Sequence, residues 1–260
     1  MTTNDVLPDH ISYSSFTTWL DCGWKYWLTR VENIHEKQHS VWLTGGSAVH
    51  LATELWDKNP SDADEVWNTA WSTQIEEDSI NGGEPESWQF IKKEDLSWWY
   101  EEGREMLTRW IEFRNHGWKI ADLNGEPLIE TKFRIPIEST VVDMGVDRVM
   151  IDPEGNTVLI DLKTGASSQK HPMQLAVYAW ALAKNGVKVD KAGFWEARTG
   201  NLTLWNIDHL HPEKIEDIFN GFEKARQAEI FLPNFASCLR CGVISSCKWF
   251  DTQKKEKAND

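Results

Sequence analysis

The chain has 260 residues and a formal net charge of -14, enough length for one elaborated domain with a sizeable core. It contains no run of about 18 apolar residues, so no membrane span is predicted. Met1-Thr2-Thr3-Asn4-Asp5 shows no basic region leading into an apolar one, so no secretory signal is expected and a cytoplasmic protein is the default. The acidity argues against nonspecific coating of duplex nucleic acid, but it is uneven. Residues 57–105 hold 14 Asp/Glu against 4 Lys/Arg, so a narrow basic channel elsewhere stays compatible with the composition. Most of the 16 tryptophans are expected to be core or half-buried, with one or two free to stack on single-stranded bases.

In chain order, residues 14–30 read as a helix capped by Ser14 or Ser15, with Phe16, Trp19, Leu20, Trp27 and Leu28 at helical intervals. Gly45-Gly46 is expected to open a second helix through about Trp56. Asn59-Pro60-Ser61 would end it, and Ser61 would cap the next. Residues 61–118 look mostly helical, interrupted at Asn81-Gly82-Gly83-Glu84-Pro85.

The period then changes to two. Leu128–Ile137 alternates as a strand, and Val141–Ile151 and Val158–Leu162 follow as two more. Asp152-Pro153-Glu154-Gly155-Asn156 is a turn, which makes the latter two adjacent and antiparallel. Met173–Lys184 reads as a helix, 192–198 and 201–207 as a hairpin across Thr199-Gly200, and Pro212–Phe231 as a last helix. The polar tail after Phe250 is expected to fray.

Asp147 stands near the middle of an apolar strand, and Asp161 ends the next one, two residues before Lys163. Carboxylates suit a hard divalent cation such as Mg²⁺, and a lysine suits a charged phosphate. The plainer alternative is a structural ion pair of Asp147 with Arg148 or Lys163, with Asp161 opening a turn. Gln174 and Tyr178 lie four apart on one helical face just after this strand, so both can aim at its end. His50 adds an imidazole, which suits Mn²⁺ as well as Mg²⁺, although a lone histidine also fits a satisfied core position.

The ordered set Gly46-x3-His50, Gly145-Val146-Asp147-Arg148-Val149, Asp161-Leu162-Lys163-Thr164-Gly165 and Gln174-x3-Tyr178 resembles the RecB-like branch of the PD-(D/E)XK nucleases. The resemblance runs from about residue 11 to 250 and is weakest across 57–120. Val146 stands where the name of the motif has proline.

The resemblance implies an α/β fold of restriction-endonuclease type: a central mixed sheet flanked by helices, here residues 121–207, with a helical insertion at 57–120, in a single nuclease domain over 1–260. It implies metal ligands in His50, Asp147, Asp161 and the carbonyl of Leu162. Lys163 would polarise the attacking water, and Gln174 and Tyr178 would orient Lys163 or the substrate strand. Glu130 resembles a further acidic position near these sites.

The four cysteines form a second constellation: Cys22 alone, then Cys238-x2-Cys241-x5-Cys247. In a cytosolic chain they point to metal rather than disulfides, and four thiolates suit either Zn²⁺ or a [4Fe-4S] cluster. The split arrangement resembles the iron–sulfur subgroup of RecB-like nucleases, which includes CRISPR-associated exonucleases and AddB-type subunits. That implies a [4Fe-4S] cluster joining the first helix to the C-terminal segment. The expected activity is a Mg²⁺- or Mn²⁺-dependent DNA exonuclease acting on single strands or DNA ends. The alternative is a DNA-end-binding or partner-docking subunit of a CRISPR adaptation or recombination complex, working beside an integrase-like partner. By analogy, a small chain without helicase motifs fits a CRISPR-linked enzyme, or a viral one in host cytoplasm.

Overall fold

The computed structural model describes residues 7–35, 39–138, 140–166, 171–207 and 212–250; the tail expected to fray lies outside them. In chain order, the first elements are strand β1 (His10–Ser12), helices α1 (Tyr13–Asp21) and α2 (Gly23–Tyr26), and a π-helical turn (Trp27–Val31). Helices α3 (Val41–Lys58), α4 (Ala63–Gly82) and α5 (Leu96–Asn115) follow. Then come the short strands β2 (Lys119–Ile120), β3 (Asp122–Leu123) and β4 (Glu126–Pro127), and the long strands β5 (Ile129–Ile137), β6 (Thr140–Ile151) and β7 (Thr157–Lys163). Helix α6 (Pro172–Lys184), strands β8 (Lys191–Glu196) and β9 (Asn201–Trp205), and helix α7 (Pro212–Gln227) complete the order. The chain forms two compact units: Met1–Lys37 with Phe133–Met144 and His211–Asp260, and Gln38–Lys132 with Gly145–Leu210.

In the first unit, β1 runs parallel to Val141–Asp143 of β6. Ser12, rather than Ser14 or Ser15, caps α1: its hydroxyl accepts from the Ser15 N–H while Ser15 Oγ accepts from the Ser12 N–H. The helix expected over 14–30 breaks at Cys22, whose backbone is extended. The Trp24 N–H there turns to the Leu232 carbonyl at 3.3 Å. An aromatic cluster of Phe16, Tyr26, Phe219 and Phe222 joins α1, α2 and α7. Helix α7 stops four residues before the expected Phe231. Glu229 takes a left-handed φ of 57°, and the Ile230 N–H closes on the Ala225 carbonyl.

In the second unit, the later half of β6 pairs antiparallel with β7, β7 runs parallel to β8, and β8 pairs antiparallel with β9. Helix α6 supplies the crossover that a parallel pair requires. Strand β7 is buried from Val158 to Leu162, the pattern of a strand covered on both faces. The arrangement is mixed α/β, with strands flanked by helices.

The expected turn at 152–156 is organised by the Asp152 carboxylate. It accepts from the backbone of Glu154 and Asn156 and pairs with Lys191 at 2.7 Å. Helix α3 starts at Val41, earlier than the two glycines suggest, because they serve close packing inside it. A Cβ on Gly45 would lie 2.2 Å from the Trp99 ring, and one on Gly46 would lie 2.9 Å from Thr164 Oγ1. Asp62, rather than Ser61, caps α4 by accepting from the Asp64 and Glu65 N–H groups. The core holds Trp67, Trp88, Trp99, Trp110 and Trp195, all nearly inaccessible, as the tryptophan content suggested. No helix among the described residues is long and apolar enough to cross a membrane.

Candidate active site

The β6–β7 ladder carries the first carboxylate. Its register pairs Arg148 with Ile160. One residue earlier on β6, Asp147 Oδ2 accepts the Leu162 N–H at 2.7 Å. On β7 the two-residue period sets Asp161 and Lys163 on one face, with Leu162 on the other. Lys163 Nζ lies 2.7 Å from Asp161 Oδ2 and donates to Gln174 Oε1 at 3.1 Å. Gln174 Nε2 in turn donates to the Tyr178 hydroxyl at 3.0 Å. The four-residue spacing on α6 does what the sequence suggested, bringing both polar groups to the end of β7.

Helix α3 supplies the imidazole. His50 Nδ1 lies 3.3 Å from Glu130 Oε1 and 3.8 Å from Asp147 Oδ2. Glu130 reaches this point from β5 with a left-handed φ of 45°. Arg148, side by side with Asp147 in sequence, does not pair with its carboxylate. Its fully buried guanidinium donates to Glu130 Oε1 at 2.9 Å, Asp57 Oδ2 at 2.8 Å and Thr53 Oγ1 at 3.0 Å. Asp57 also accepts from Trp110 Nε1 and Arg114 Nε. A buried cation is thus matched by carboxylates and hydrogen bonds on its donor edge, the condition for keeping it charged.

Crowded acids shift one another. Burial alone would lower the His50 pKa, but Asp147 and then Glu130 raise it to about 9. Burial raises Asp161 to about 7, and Asp147 adds to the rise against the pull of Lys163. Asp147 is also raised, by burial first and by Glu130 against the opposing charge of His50. Glu130 is lowered: burial opposes this, but His50 and Arg148 prevail.

His50, Glu130 and Asp147 offer ligand atoms that all lie within 4.8 Å of one another. Ligand distances near 2.1 Å place neighbouring ligands of Mg²⁺ about 3 Å apart, so a small contraction of this group fits the ion. Asp161 lies outside the trio, engaged with Lys163, and Leu162 meets Asp147 through its N–H. Glu130 is the acid that the expected ligand set left out. Its signal in the sequence was the resemblance, which marks it as a further acidic position near these sites.

His50 and Glu130 border a cleft of about 1290 Å³. Trp42, Leu43, Ile91, Lys92, Lys132 and Arg198 contribute to its walls.

In the other unit, Cys22, Cys238, Cys241 and Cys247 line a single pocket with Trp24 and Trp249. All four are free thiols. The Asn234 N–H donates to Cys22 Sγ at 3.3 Å, and the Cys241 N–H turns back to the Cys238 carbonyl. Burial, then the neighbouring Cys247, Cys22 and Cys241, hold the Cys238 thiol above its ordinary range. Four sulfurs lining one pocket are the donor type that a soft metal centre takes.

The sequence profile of the PD-(D/E)XK nuclease superfamily matches residues 10–248. No curated protein matches the chain significantly. Among solved structures, a "Putative exonuclease" from Eubacterium rectale is 13% identical with a TM-score of 0.54, over 90% of this chain and 87% of that one. A second, SSO0001, is 15% identical with a TM-score of 0.39, over 92% of this chain and 96% of that one. With the profile spanning nearly the whole chain, and carboxylates, histidine and lysine gathered at the end of one strand pair, this chain belongs to the PD-(D/E)XK nuclease superfamily.

Proposed function

We propose that this protein is a divalent-metal-dependent DNA exonuclease of the RecB-like branch, acting on single strands or DNA ends and carrying a structural [4Fe-4S] cluster. The observation that carries the reading is that the His50–Glu130–Asp147 trio and the Asp161–Lys163–Gln174–Tyr178 chain are anchored on the adjacent strands β6 and β7, through Asp147 and through Asp161 and Lys163. His50, Asp147 and Glu130 would hold the ion, with Asp161 and the Leu162 carbonyl as further candidates. A bound Mg²⁺ or Mn²⁺ lowers the pKa of an attacking water and offsets charge on the phosphoryl oxygens.

Lys163 would place its ammonium beside the scissile phosphate. Asp161 and Gln174 fix its position from two sides, and Tyr178 fixes Gln174. Such a held cation stabilises charge that develops only in the transition state. Arg148 keeps Glu130 oriented toward His50.

The test is hydrolysis of end-labelled DNA with Mg²⁺ or Mn²⁺. Lys163→Ala and Asp161→Ala are expected to lower the rate at least 100-fold; cutting at the parental rate by either would remove the assignment.

The cysteine pocket supports a cluster that ties the Cys22 break to the 238–247 segment. Anaerobically purified protein is expected to be brown and to contain iron and acid-labile sulfide. A colourless protein loaded with zinc would replace the cluster by Zn²⁺ and leave the nuclease reading intact.

A further inference from the structure

Between the 3-10 turn at Pro85–Ser87 and α5, the chain makes a projecting turn, Phe90-Ile91-Lys92-Lys93. Phe90 and Ile91 are 56% and 53% exposed, although both are large and apolar. Lys92 and Lys93 are exposed beside them, in a segment that is otherwise strongly acidic. Lys92 takes a left-handed φ of 58°, which an L-residue adopts at a cost. Such an outlier persists only where its surroundings over-determine it.

Here they do. Before the turn, the Gln89 N–H bonds the His39 carbonyl, and the Gln89 carbonyl takes the Val41 N–H at the start of α3. The Ile91 carbonyl closes the turn on the Glu94 N–H at 3.0 Å. Glu94 then grips Arg198 through two parallel bonds of 3.0 Å each. Arg198 stacks over Trp98 and Trp99 and donates to the Thr164 carbonyl at 2.8 Å. Thr164 directly follows Lys163. The exposed tip is therefore braced to the backbone at the end of the β7 strand that carries Asp161 and Lys163.

Ile91 and Lys92 line the same cleft as His50 and Glu130, facing a space also bordered by Trp42 and Leu43. The acids of the cleft are largely engaged: Glu54 by Lys58, Glu94 by Arg198, and Glu130 by Arg148 and His50. Lys92 and Lys132 are left to face an incoming anion, against Glu77.

An apolar tip flanked by ammonium groups complements a strand with both its base faces and its phosphates open. A duplex hides its base faces. We propose that the Phe90–Lys93 turn is a fixed strand grip: Ile91 packs on a base of single-stranded DNA, and Lys92 meets a neighbouring phosphate. This holds the strand in the cleft leading to His50 and Glu130. The inference rests on the nuclease reading of that cleft.

The experiment separates the two. Binding of a fluorescein-labelled thymidine oligonucleotide is measured by anisotropy with Ca²⁺ in place of Mg²⁺, across a salt series. Ile91→Ala is expected to weaken binding about tenfold, the loss of the apolar contact between its side chain and the base. Lys92→Ala is expected to reduce the slope of log affinity against log salt by about 0.7. Lys188→Ala, at an exposed position away from the cleft, keeps the parental slope. In Mg²⁺, both turn variants raise KM for the single strand while kcat stays within about twofold, and binding of a blunt duplex changes little.

Parental affinity and salt slope in both variants would overturn the grip, as would equal weakening toward duplex, or no binding of the oligonucleotide by the parent. The nuclease reading is judged separately, by whether the parent hydrolyses the DNA or bis(4-nitrophenyl) phosphate with Mn²⁺. A parent that binds the strand through Ile91 and Lys92 but cuts nothing would remove the catalysis and keep the grip.

Discussion

Replacing Asp57 by alanine should be among the most damaging single changes in the second unit, although Asp57 is not one of the proposed ligands. Its carboxylate is fully buried and accepts from Arg148 Nε at 2.8 Å, Arg114 Nε at 2.7 Å and Trp110 Nε1 at 3.1 Å. Removing one partner of a buried ion pair costs about 3–5 kcal/mol, because the other charge stays behind without compensation. The orphaned indole N–H adds about 1 kcal/mol. Arg114 is 13% exposed and can partly turn to water. The sum is roughly 4–6 kcal/mol, or about 8–24 °C in Tm at 2–4 °C per kcal/mol for a unit of this size. Urea unfolding followed by tryptophan fluorescence reports it directly, since Trp67, Trp99, Trp110 and Trp195 are all buried here. The Asp57→Leu, Arg148→Met double variant should recover part of the loss, leaving Glu130 and Arg114 as the remaining defects. A cost below about 1.5 kcal/mol for Asp57→Ala, the scale of an exposed pair, would refute the argument that this network holds the cation in place.

Other outcomes can be checked with the same protein. Glu130→Gln should lower kcat on DNA by at least about 100-fold with Mn²⁺; parental turnover would take Glu130 out of the site. His50 carries a proton up to about pH 9 because of Asp147 and Glu130, and a metal must displace that proton. Mn²⁺ affinity measured by calorimetry should therefore tighten about tenfold per pH unit between pH 7 and 9, and a flat profile would contradict this. In metal-free protein the same proton stabilises the fold fully below about pH 6.5, and its contribution is lost as pH rises toward 9. Thermal unfolding at pH 6 and pH 9 should show this direction, and His50→Gln should weaken it. Lys191 and Asn156 hold the Asp152 carboxyl below its ordinary range against burial. Its stabilisation is therefore present above about pH 4 and fades as pH falls further. Asp152→Asn should flatten the acid limb of a stability-versus-pH curve.

Local patterns carried much of this structure. The Asp-x-Lys spacing puts two side chains on one strand face, the Gln174–Tyr178 spacing puts two on one helix face, and the turn at 152–156 sets strand order. Each depends on a period readable within a few residues. The less legible parts depend on distant partners. The break at Cys22 follows from the Leu232 carbonyl, 210 residues away in the chain. Gly45 and Gly46 looked like a helix start, yet they sit within α3 because Trp99 and Thr164 come close there. Arg148 was one of the two partners, with Lys163, that the plainer ion-pair alternative offered Asp147, and only the folded chain shows it turned toward Asp57, Glu130 and Thr53. One signal was present: Asp57 lies seven residues after His50, two turns along the same helix, and so on the same face.

The bond from the Leu162 N–H to Asp147 Oδ2 makes that carboxylate part of the sheet as well as of the proposed site. It stands in for a strand carbonyl at the point where the β6–β7 ladder opens. Cutting it back to alanine strips an acceptor from a buried main-chain amide, which costs about 1–3 kcal/mol, and loosens the strand that carries Asp161 and Lys163. An inactive alanine protein would mix a lost ligand with a frayed edge. Asparagine keeps an oxygen for the amide while halving the ligand capacity and removing the charge. The two substitutions together separate the architecture of this corner from its chemistry.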